Sequence, residues 1–289
     1  MSTRSLPPRR SALLLLPAFA AVVLAALPAA ASTTTLPTLQ IRATKKAITI
    51  SGPLHSGAVQ YVATTSKAAP RGGGAGASPA IFRLKDGVSY ATLLANVDKA
   101  AAGPSAPTPL NRYGSLLSDF EVSKGQVARV QSVLRPGRYL LIDVGDNRPS
   151  ASNMARFTVR REAHPAALPH ADATIRMVDY AYRGATSIRR GSLLRITSSG
   201  DEDHMAIAVR PAKGKTAAGI EKLLLAGKDR QAEKEAAGFA DLADPVSPGS
   251  VNQARVTLAR GTWVLVCFMR TAKGVAHTKL GMVSTLHVR

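Results

Sequence analysis

The feature of the sequence that most constrains its fold is an internal repeat. Residues 122–144 align without a gap with residues 246–268, and each stretch runs from a Val-Ser-x-Gly turn into a strongly apolar segment. Matched blocks of this length predict two homologous domains in tandem. Two further pairs of blocks flank this one in the same order: 86–99 with 213–226 before it, and 154–160 with 282–289 after it.

The boundary between the two repeats is expected where the strand pattern stops. Pro165, Pro169 and several alanines interrupt any regular pattern between the last block of the first repeat and the start of the second. We therefore predict a first domain at 37–161, a linker at 162–173 and a second domain at 174–289.

Each predicted domain has the sequence pattern of an all-β fold. Short β-rich runs are separated by small polar residues and glycine, which is typical of hairpins and sandwiches. Apolar residues recur at helical spacing once per domain, after the possible N-caps Ser89 and Thr216. The fold prediction is two Greek-key β-sandwich domains in tandem, each with one inserted helix. Three strands are predicted after each helix: 127–134, 138–144 and 154–160, then 251–258, 262–268 and 282–288.

The N-terminus has the pattern of a cleavable signal peptide. Three arginines precede an uncharged apolar run at 12–27, and small residues around Ala31 follow it. A membrane anchor is the alternative, but the run is shorter than the roughly 20 residues that span a bilayer. We predict a signal peptide at 1–31, a secreted or extracytoplasmic (cell-envelope) location, and no transmembrane segment in the mature chain.

The chain is strongly basic, with a formal net charge of +20. This charge favours anionic partners, such as an acidic redox protein or the anionic polymers of a cell envelope. A basic surface that only keeps the protein dissolved is the simpler interpretation. No nucleic-acid partner is expected, because the basic residues are scattered and aromatic residues make up only 4% of the chain. Cys267 is the only cysteine, so no disulfide can form within the chain, and the lone thiol needs another explanation.

That thiol is one of four candidate metal ligands in the second domain. Cys267 ends an apolar strand, His277 and Met282 follow it, and His204 precedes a strand far upstream. One thiolate, two imidazoles and one thioether form the ligand set of a mononuclear blue copper site. Taken singly, the residues have simpler interpretations: a packed thiol, a solvated loop histidine, a core methionine, and a surface histidine paired with the carboxylates at 201–203.

The order of these four residues along the chain, together with the His-x4-Met spacing of His277 and Met282, resembles that of a cupredoxin of the plastocyanin and azurin family. More narrowly, the second domain is similar to exported cupredoxin-like proteins of actinobacteria. In the first domain, Asp143 stands at the position of Cys267 and only Met154 matches a ligand, so a degenerate copy without ligands is expected there. For the second domain the resemblance implies one copper ion per chain, held by His204, Cys267, His277 and Met282.

The loop between two of these ligands sets a geometric condition. Nine residues, 268–276, separate Cys267 from His277, so the loop must fold back, and Gly274 is the natural place for its turn. The thiol and the two imidazoles are then expected within about 4 Å of one another, because metal bonds to nitrogen and sulfur are only about 2.0–2.3 Å long. The remaining histidines fit no ligand spacing and are expected in solvent: His55, His164, His170 and His287.

The predicted function is type 1 copper binding for single-electron transfer or copper handling. The alternative is a metal-free β-sandwich that binds a partner or supports the cell envelope. An enzyme is disfavoured, because copper enzymes with this fold need histidine clusters for a second metal centre. This chain has only six histidines and no His-x-His pair.

Overall fold

The strands form where apolar residues alternate with polar ones. In the first strand, Leu39, Ile41 and Ala43 are buried while Gln40 and Arg42 are exposed. This period of two places one face of a strand in a core. Our computed structural model describes residues 35–69, 75–101, 110–146 and 153–289. The predicted signal peptide at 1–31 lies outside these ranges. Within them, no helix is both long enough and apolar enough to cross a bilayer.

The first half of the chain, residues 35–159, forms two sheets packed face to face. Its elements are β1 Thr38–Ala43, β2 Ile48–Ser51, β3 Gly57–Thr65, β4 Pro79–Leu84, α1 Tyr90–Ala101, β5 Gly114–Asp119, β6 Ala128–Leu134, β7 Gly137–Asp143 and β8 Met154–Val159. One layer has the strand order β2-β1-β3-β6 and the other β5-β4-β7-β8. A single apolar core lies between the layers, and α1 packs on the outer face of the second one.

The second half, residues 173–289, repeats this arrangement. Its elements are β9 Ala173–Val178, β10 Ala181–Gly184, β11 Ser187–Ile188, β12 Leu193–Ser198, β13 His204–Pro211, α2 Ala217–Leu225, α3 Asp229–Lys234, β14 Ala236–Val246, β15 Val251–Arg255, β16 Gly261–Val266 and β17 Val283–Val288. One layer has the order β10-β9-β12-β15 and the other β11-β17-β16-β13-β14.

Strands pair in the same way in both halves. β1 pairs antiparallel with β2 and parallel with β3, just as β9 pairs with β10 and β12. In the second layers, β4 pairs with β5 and β7 as β13 pairs with β14 and β16. The all-β prediction is confirmed, and the matched pairing is what a duplicated domain would produce.

The two halves share one sheet. β6 pairs antiparallel with β15, so that four strands from each half form a continuous eight-stranded sheet. At the junction, Gln253 Nε2 donates a hydrogen bond to Gln131 Oε1 at 3.0 Å. The predicted linker is tied to the same sheet, because Pro169 O accepts hydrogen bonds from Arg195 at 2.9 Å and from Gln253 at 3.2 Å. Both halves therefore belong to one compact unit, Thr34–Arg289.

The helices agree with the sequence prediction at their starts but not in their number. Ser89 Oγ accepts from Thr92 N–H at 3.0 Å, and the Thr216 hydroxyl accepts from Gly219 N–H at 3.1 Å, as expected of N-caps. The prediction of one inserted helix is wrong for the second half, which has both α2 and α3. Gly227, at φ 68°, follows α2 and lets the chain turn into α3.

A fourth strand follows the helices in each half, which the prediction of three strands omits. This strand is β5 in the first half and β14 in the second. β14 consists largely of small and acidic residues, and β5 is short with two adjacent leucines. Neither sequence gives the apolar alternation that identifies a half-buried strand.

Strand β16 is buried on both faces and positions the candidate site. Trp263 and Leu265 point into the core between the two layers, while Val264 and Val266 belong to the cluster under α2. Burial on both faces explains why the sequence at 263–268 is continuously apolar, as expected of a central strand. The alternation continues one residue beyond the strand, so that Cys267 also enters the core between the layers.

Candidate metal centre

Cys267 and His204 come together because their strands are antiparallel neighbours. Ile207 of β13 lies opposite Val266 of β16, so the start of β13 lies beside the residue that follows β16. Met205 N–H donates to Cys267 Sγ at 3.5 Å. Both candidate ligands are completely buried.

The nine-residue loop after Cys267 folds back on itself. Gly274 N–H donates to Thr271 O at 2.8 Å, and Gly274 has φ 78°, which is the conformation that favours glycine. Past this turn, His277 N–H donates to Met269 O at 2.9 Å. The loop is thus a short hairpin that turns at Gly274 and returns His277 to Cys267.

Met282 reaches the same region through a short 3₁₀ helix, His277–Leu280, which ends at Gly281 with φ 102°. Met282 N–H donates to His277 O at 2.9 Å, and Met282 O accepts from Cys267 N–H at 3.3 Å. The Met282 side chain is completely buried in the same core cluster as Cys267.

Ligand atoms of three predicted residues converge. One atom each from His204, Cys267 and His277 lie within 4.8 Å of one another, slightly farther apart than the sequence argument requires. Cys267 Sγ is 3.4 Å from His277 Nδ1, and the two imidazole centroids are 5.2 Å apart. His277 is as fully buried as the other two, so the arrangement with His277 out in solvent does not occur. Within the described ranges, this is the one group of His, Cys, Asp or Glu that meets metal-binding geometry.

Asp179 belongs to the candidate centre, although the sequence argument did not identify it. Asp179 Oδ1 lies 3.1 Å from His204 Nε2, and the carboxylate also accepts from the N–H groups of Asp201 and Glu202 at 3.0 and 3.3 Å. Although burial raises the pKa of Asp179, these hydrogen bonds outweigh that effect and lower it. The ionised carboxylate accepts a hydrogen bond from Nε2–H, which leaves His204 Nδ1 as the atom with a free lone pair.

The carboxylate on His204 also corrects the simpler interpretation of this histidine. The sequence suggests a surface histidine that pairs with a neighbour at 201–203. His204 is instead completely buried, and its partner comes from the turn between β9 and β10, 25 residues upstream. No spacing rule along the chain could identify that partner.

Burial sets the protonation states of the site. It raises the pKa of the Cys267 thiol to about 11 and lowers the pKa of His277 to about 4, with His204 contributing to the latter shift. Burial also lowers the pKa of His204, despite the neighbouring Asp179. At neutral pH the thiol is therefore protonated and both imidazoles are neutral. Neutral imidazole is the form that a metal ion binds, while the thiol must lose its proton on binding.

The donor set fits a metal ion. His204 Nδ1 and His277 Nε2 are buried and have no hydrogen-bond partner among the described residues. A buried polar atom without a partner costs free energy, and such atoms call for an explanation. A cation held by the soft sulfur and the imidazoles would use the free lone pair of His204.

Tyr180 and Tyr182 complete the surroundings of the site. The Tyr180 ring meets the His277 ring edge to face, with centroids 5.1 Å apart, and Tyr180 adopts the left-handed conformation at φ 60°. Tyr182 OH donates to Met205 O at 2.6 Å. The same turn therefore supplies a carboxylate to one histidine and an aromatic cover to the other.

The equivalent position in the first half holds a buried ion pair. Asp143, which aligns with Cys267, lies at the end of β7, and its Oδ2 is 2.7 Å from Lys67 Nζ. Asp143 Oδ1 accepts from Ser78 N–H at 2.8 Å and from Gly145 N–H at 3.2 Å. A lysine–aspartate pair thus lies where the second half has its candidate ligands.

The other histidines lie away from the candidate centre. His55 Nδ1 is 3.3 Å from a carboxylate oxygen of Glu162 at a half-exposed position. Three further histidines are exposed, as expected: His164, His170 and His287.

Comparison with known proteins gives structural similarity but no family. No protein-family model matches the chain, and no curated protein matches it in sequence. Dithionite-reduced auracyanin from the photosynthetic bacterium Roseiflexus castenholzii is 17% identical, with a TM-score of 0.24, over 42% of this chain and 99% of its own. A mutant plastocyanin of fern is 18% identical, with a TM-score of 0.25, over 40% of this chain and 100% of its own. Copper nitrite reductase from Nitrosomonas europaea is 11% identical, with a TM-score of 0.24, over 87% of this chain and 93% of its own. These values are too low to assign a family, and the description of the fold rests on the chain's own strand order.

Proposed function

We propose that the second half is a cupredoxin-like domain that binds one copper ion through His204, Cys267 and His277, with Met282 as a weak fourth ligand. The proposal is supported above all by one observation: a thiol and two imidazoles are completely buried with their ligand atoms within 4.8 Å of one another. Thiolate and imidazole suit copper or zinc, and a thioether beside them favours copper.

A bound copper ion would supply one-electron redox chemistry in this site. The chain's own residues hold the ligands in place. β13 and β16 fix His204 and Cys267, and the hairpin at 268–276 fixes His277 through its backbone hydrogen bonds. Burial excludes water from the ligands. A site so constrained changes little when its charge changes, which suits single-electron transfer, and the same ligand set would serve copper handling.

The visible spectrum of the purified protein during titration with Cu(II) tests this proposal. We expect an intense thiolate-to-copper charge-transfer band at about 600 nm that saturates at one copper per chain. Weak absorption that does not saturate at one equivalent would instead indicate adventitious binding at exposed histidines and would reject the copper site.

For the first half we propose a metal-free role in structure or partner binding. The Lys67–Asp143 pair supports this role, because it satisfies the buried carboxylate at the position of Cys267 without a metal ion. We also retain the proposal of two homologous domains at 37–161 and 174–289, joined by the linker 162–173.

Export and partner choice complete the proposed function. The signal-peptide pattern at 1–31 supports a secreted or cell-envelope protein, and the net charge of +20 supports an acidic redox partner or anionic envelope polymers. Asp179 and Asp201 are exposed beside His204, so an acidic partner is proposed to dock away from that side. Electron transfer or binding is proposed in preference to catalysis, because the six histidines leave too few for a second copper centre.

The variant Asp179→Ala tests the role of the carboxylate behind His204. We expect its copper affinity to fall about 10–100-fold, because the partner of a ligating imidazole fixes its orientation and basicity. Asp179→Asn keeps an acceptor atom, so its copper affinity should lie between that of Asp179→Ala and that of the natural protein. A competition titration against a copper chelator measures these affinities.

Asp201→Ala is the matched control for this experiment. It removes the same charge from an exposed neighbour whose side chain does not contact His204. Equal losses of affinity in Asp179→Ala and Asp201→Ala would show that only the local negative charge matters, and would contradict the positioning role.

A further inference from the structure

The turn between β9 and β10 contacts both imidazoles of the candidate metal centre. It consists of only two residues, Asp179 and Tyr180, which connect the paired ends of the two strands. Asp179 Oδ1 lies 3.1 Å from His204 Nε2, and the Tyr180 ring meets the His277 ring edge to face with centroids 5.1 Å apart. A single short turn therefore lies against two of the three residues whose ligand atoms converge.

Tyr180 adopts a backbone conformation that is unfavourable for its residue type. Its φ of 60° is the only positive φ of a residue other than glycine within the described ranges. The left-handed conformation brings the Cβ atom of an L-residue too close to a carbonyl oxygen, whereas glycine has no Cβ and adopts it freely. Strained residues of this kind persist where surrounding contacts hold them, and they cluster at functional sites. The contacts of the Tyr180 ring therefore call for a functional explanation.

The Tyr180 ring covers ligands that have no access to solvent. His204, Cys267 and His277 are each 0% exposed, whereas Tyr180 is half-buried and packs against the core cluster that contains Cys267. The turn also borders the 3₁₀ helix that begins at His277, since a Cβ atom added at Gly281 would lie 3.8 Å from Tyr180 O. A ring that is partly exposed and touches a fully buried imidazole lies between that imidazole and solvent.

The closed arrangement has two unfavourable features that opening of the turn would relieve. His277 Nδ1 lies 3.4 Å from Cys267 Sγ, but the other ring nitrogen, Nε2, is buried and has no hydrogen-bond partner among the described residues. Water would hydrogen-bond to this atom if the Tyr180 ring moved away, and the backbone of Tyr180 would then leave its strained φ. The contacts of one ring and of the Asp179 carboxylate therefore hold the site closed.

We propose that Tyr180 closes the candidate metal centre and that the turn at Asp179 and Tyr180 opens to admit the metal ion. The proposal rests on the proposed copper site for the identity of the ion, whereas the closure is a property of the metal-free protein. In the closed form the ring keeps water and competing ligands away from Cys267. Because the same ring must move when an ion enters and when it leaves, it slows both steps and changes the affinity little.

The reaction of Cys267 with iodoacetamide in the metal-free protein tests the closure, because this is the only cysteine in the chain. We expect Tyr180→Gly to react about 10-fold faster than the natural protein or more, because the open form becomes more populated. Tyr180→Asn lacks the ring and also tolerates a positive φ, so it should behave in the same way. Tyr180→Phe is the matched control, since it keeps the ring and should react at the natural rate.

The dependence of this reaction on urea separates local opening from unfolding of the whole protein. Below the unfolding transition, a reaction through local opening changes little with urea, whereas a reaction through global unfolding accelerates steeply. Copper exchange gives a second measurement: loading from Cu(II) and release to a chelator should both be about 10-fold faster in Tyr180→Gly than in the natural protein. The affinity, which is the ratio of the two rates, should change less than in Asp179→Ala.

Equal reaction rates of Cys267 in Tyr180→Gly and in the natural protein would overturn the proposal. So would a rate in Tyr180→Gly that rises steeply with urea, because the ring would then act only through global stability. An unchanged rate in Tyr180→Gly together with a faster one in Gly274→Ala would overturn it in favour of entry through the hairpin at 268–276. Protection of Cys267 that depends on the ring, in a protein that forms no copper band, would reject the copper site and support the closure.

Discussion

Replacing Cys267 with serine is expected to abolish the visible band of the copper-loaded protein completely. The colour of such a site arises from charge transfer between a thiolate and Cu(II), and Cys267 is the only cysteine in the chain. The hydroxyl of serine is a hard and weakly acidic ligand, so tight copper binding should be lost as well. Absorption spectroscopy and copper quantification after desalting measure the two effects.

Met282→Leu is the matched control for the cysteine variant. Both positions are completely buried in the same core cluster, so both substitutions perturb the same region. In the proposed site the Met282 thioether would be a weak ligand that tunes the reduction potential, so Met282→Leu should keep the band and raise the potential. A band that survives in Cys267→Ser, or that disappears equally in both variants, would contradict the ligand assignment.

Replacing Lys67 with methionine is expected to destabilise the protein by about 3–5 kcal/mol, because it leaves a buried carboxylate without its counter-charge. Asp143 is 1% exposed and Lys67 is 8% exposed, so water cannot readily replace the lost ammonium group. The N–H groups of Ser78 and Gly145 would still donate to the Asp143 carboxylate, which reduces the loss of stability but does not neutralise the charge. Urea unfolding gives the free energy.

Lys46→Met is the control, because it removes the same charge from an exposed position. It should change the free energy of unfolding by less than about 0.5 kcal/mol. The double variant Lys67→Met/Asp143→Leu should recover part of the loss, because a buried pair can often be replaced by apolar residues. A loss below about 1 kcal/mol in Lys67→Met would mean that the pair does not stabilise the first half.

The sequence predicted the parts of the fold in which local pattern and tertiary position agree. β6, β7 and β8 and their counterparts β15, β16 and β17 lie within a few residues of their predicted ranges, because each has a continuous or alternating apolar pattern. β14 was missed because its residues are mostly small or acidic and do not alternate between apolar and polar types. The additional helix α3 is only six residues long, which is too short for a periodic signal.

For the site, the residue types could be predicted and their partners could not. His204, Cys267 and His277 could be named as candidate ligands because sulfur and imidazole are the ligand types of a copper site, and the structure brings their ligand atoms within 4.8 Å of one another. Asp179 and Lys67 were not recognisable, because each acts through a contact with a residue far away in the sequence. The sheet that the two halves share depends on the pairing of β6 with β15, which no pattern within one strand could indicate.

The shared sheet has a consequence for how the protein responds to being cut. Separating the halves would expose β6 and β15 as unprotected edges in the middle of what is now a continuous sheet. Exposed edges of this kind pair with other chains, so an isolated half would tend to self-associate. An excised second half is therefore not expected to behave as it does in the whole protein. A protease that cuts the chain between β8 and β9 should leave the two pieces bound to each other through the shared sheet.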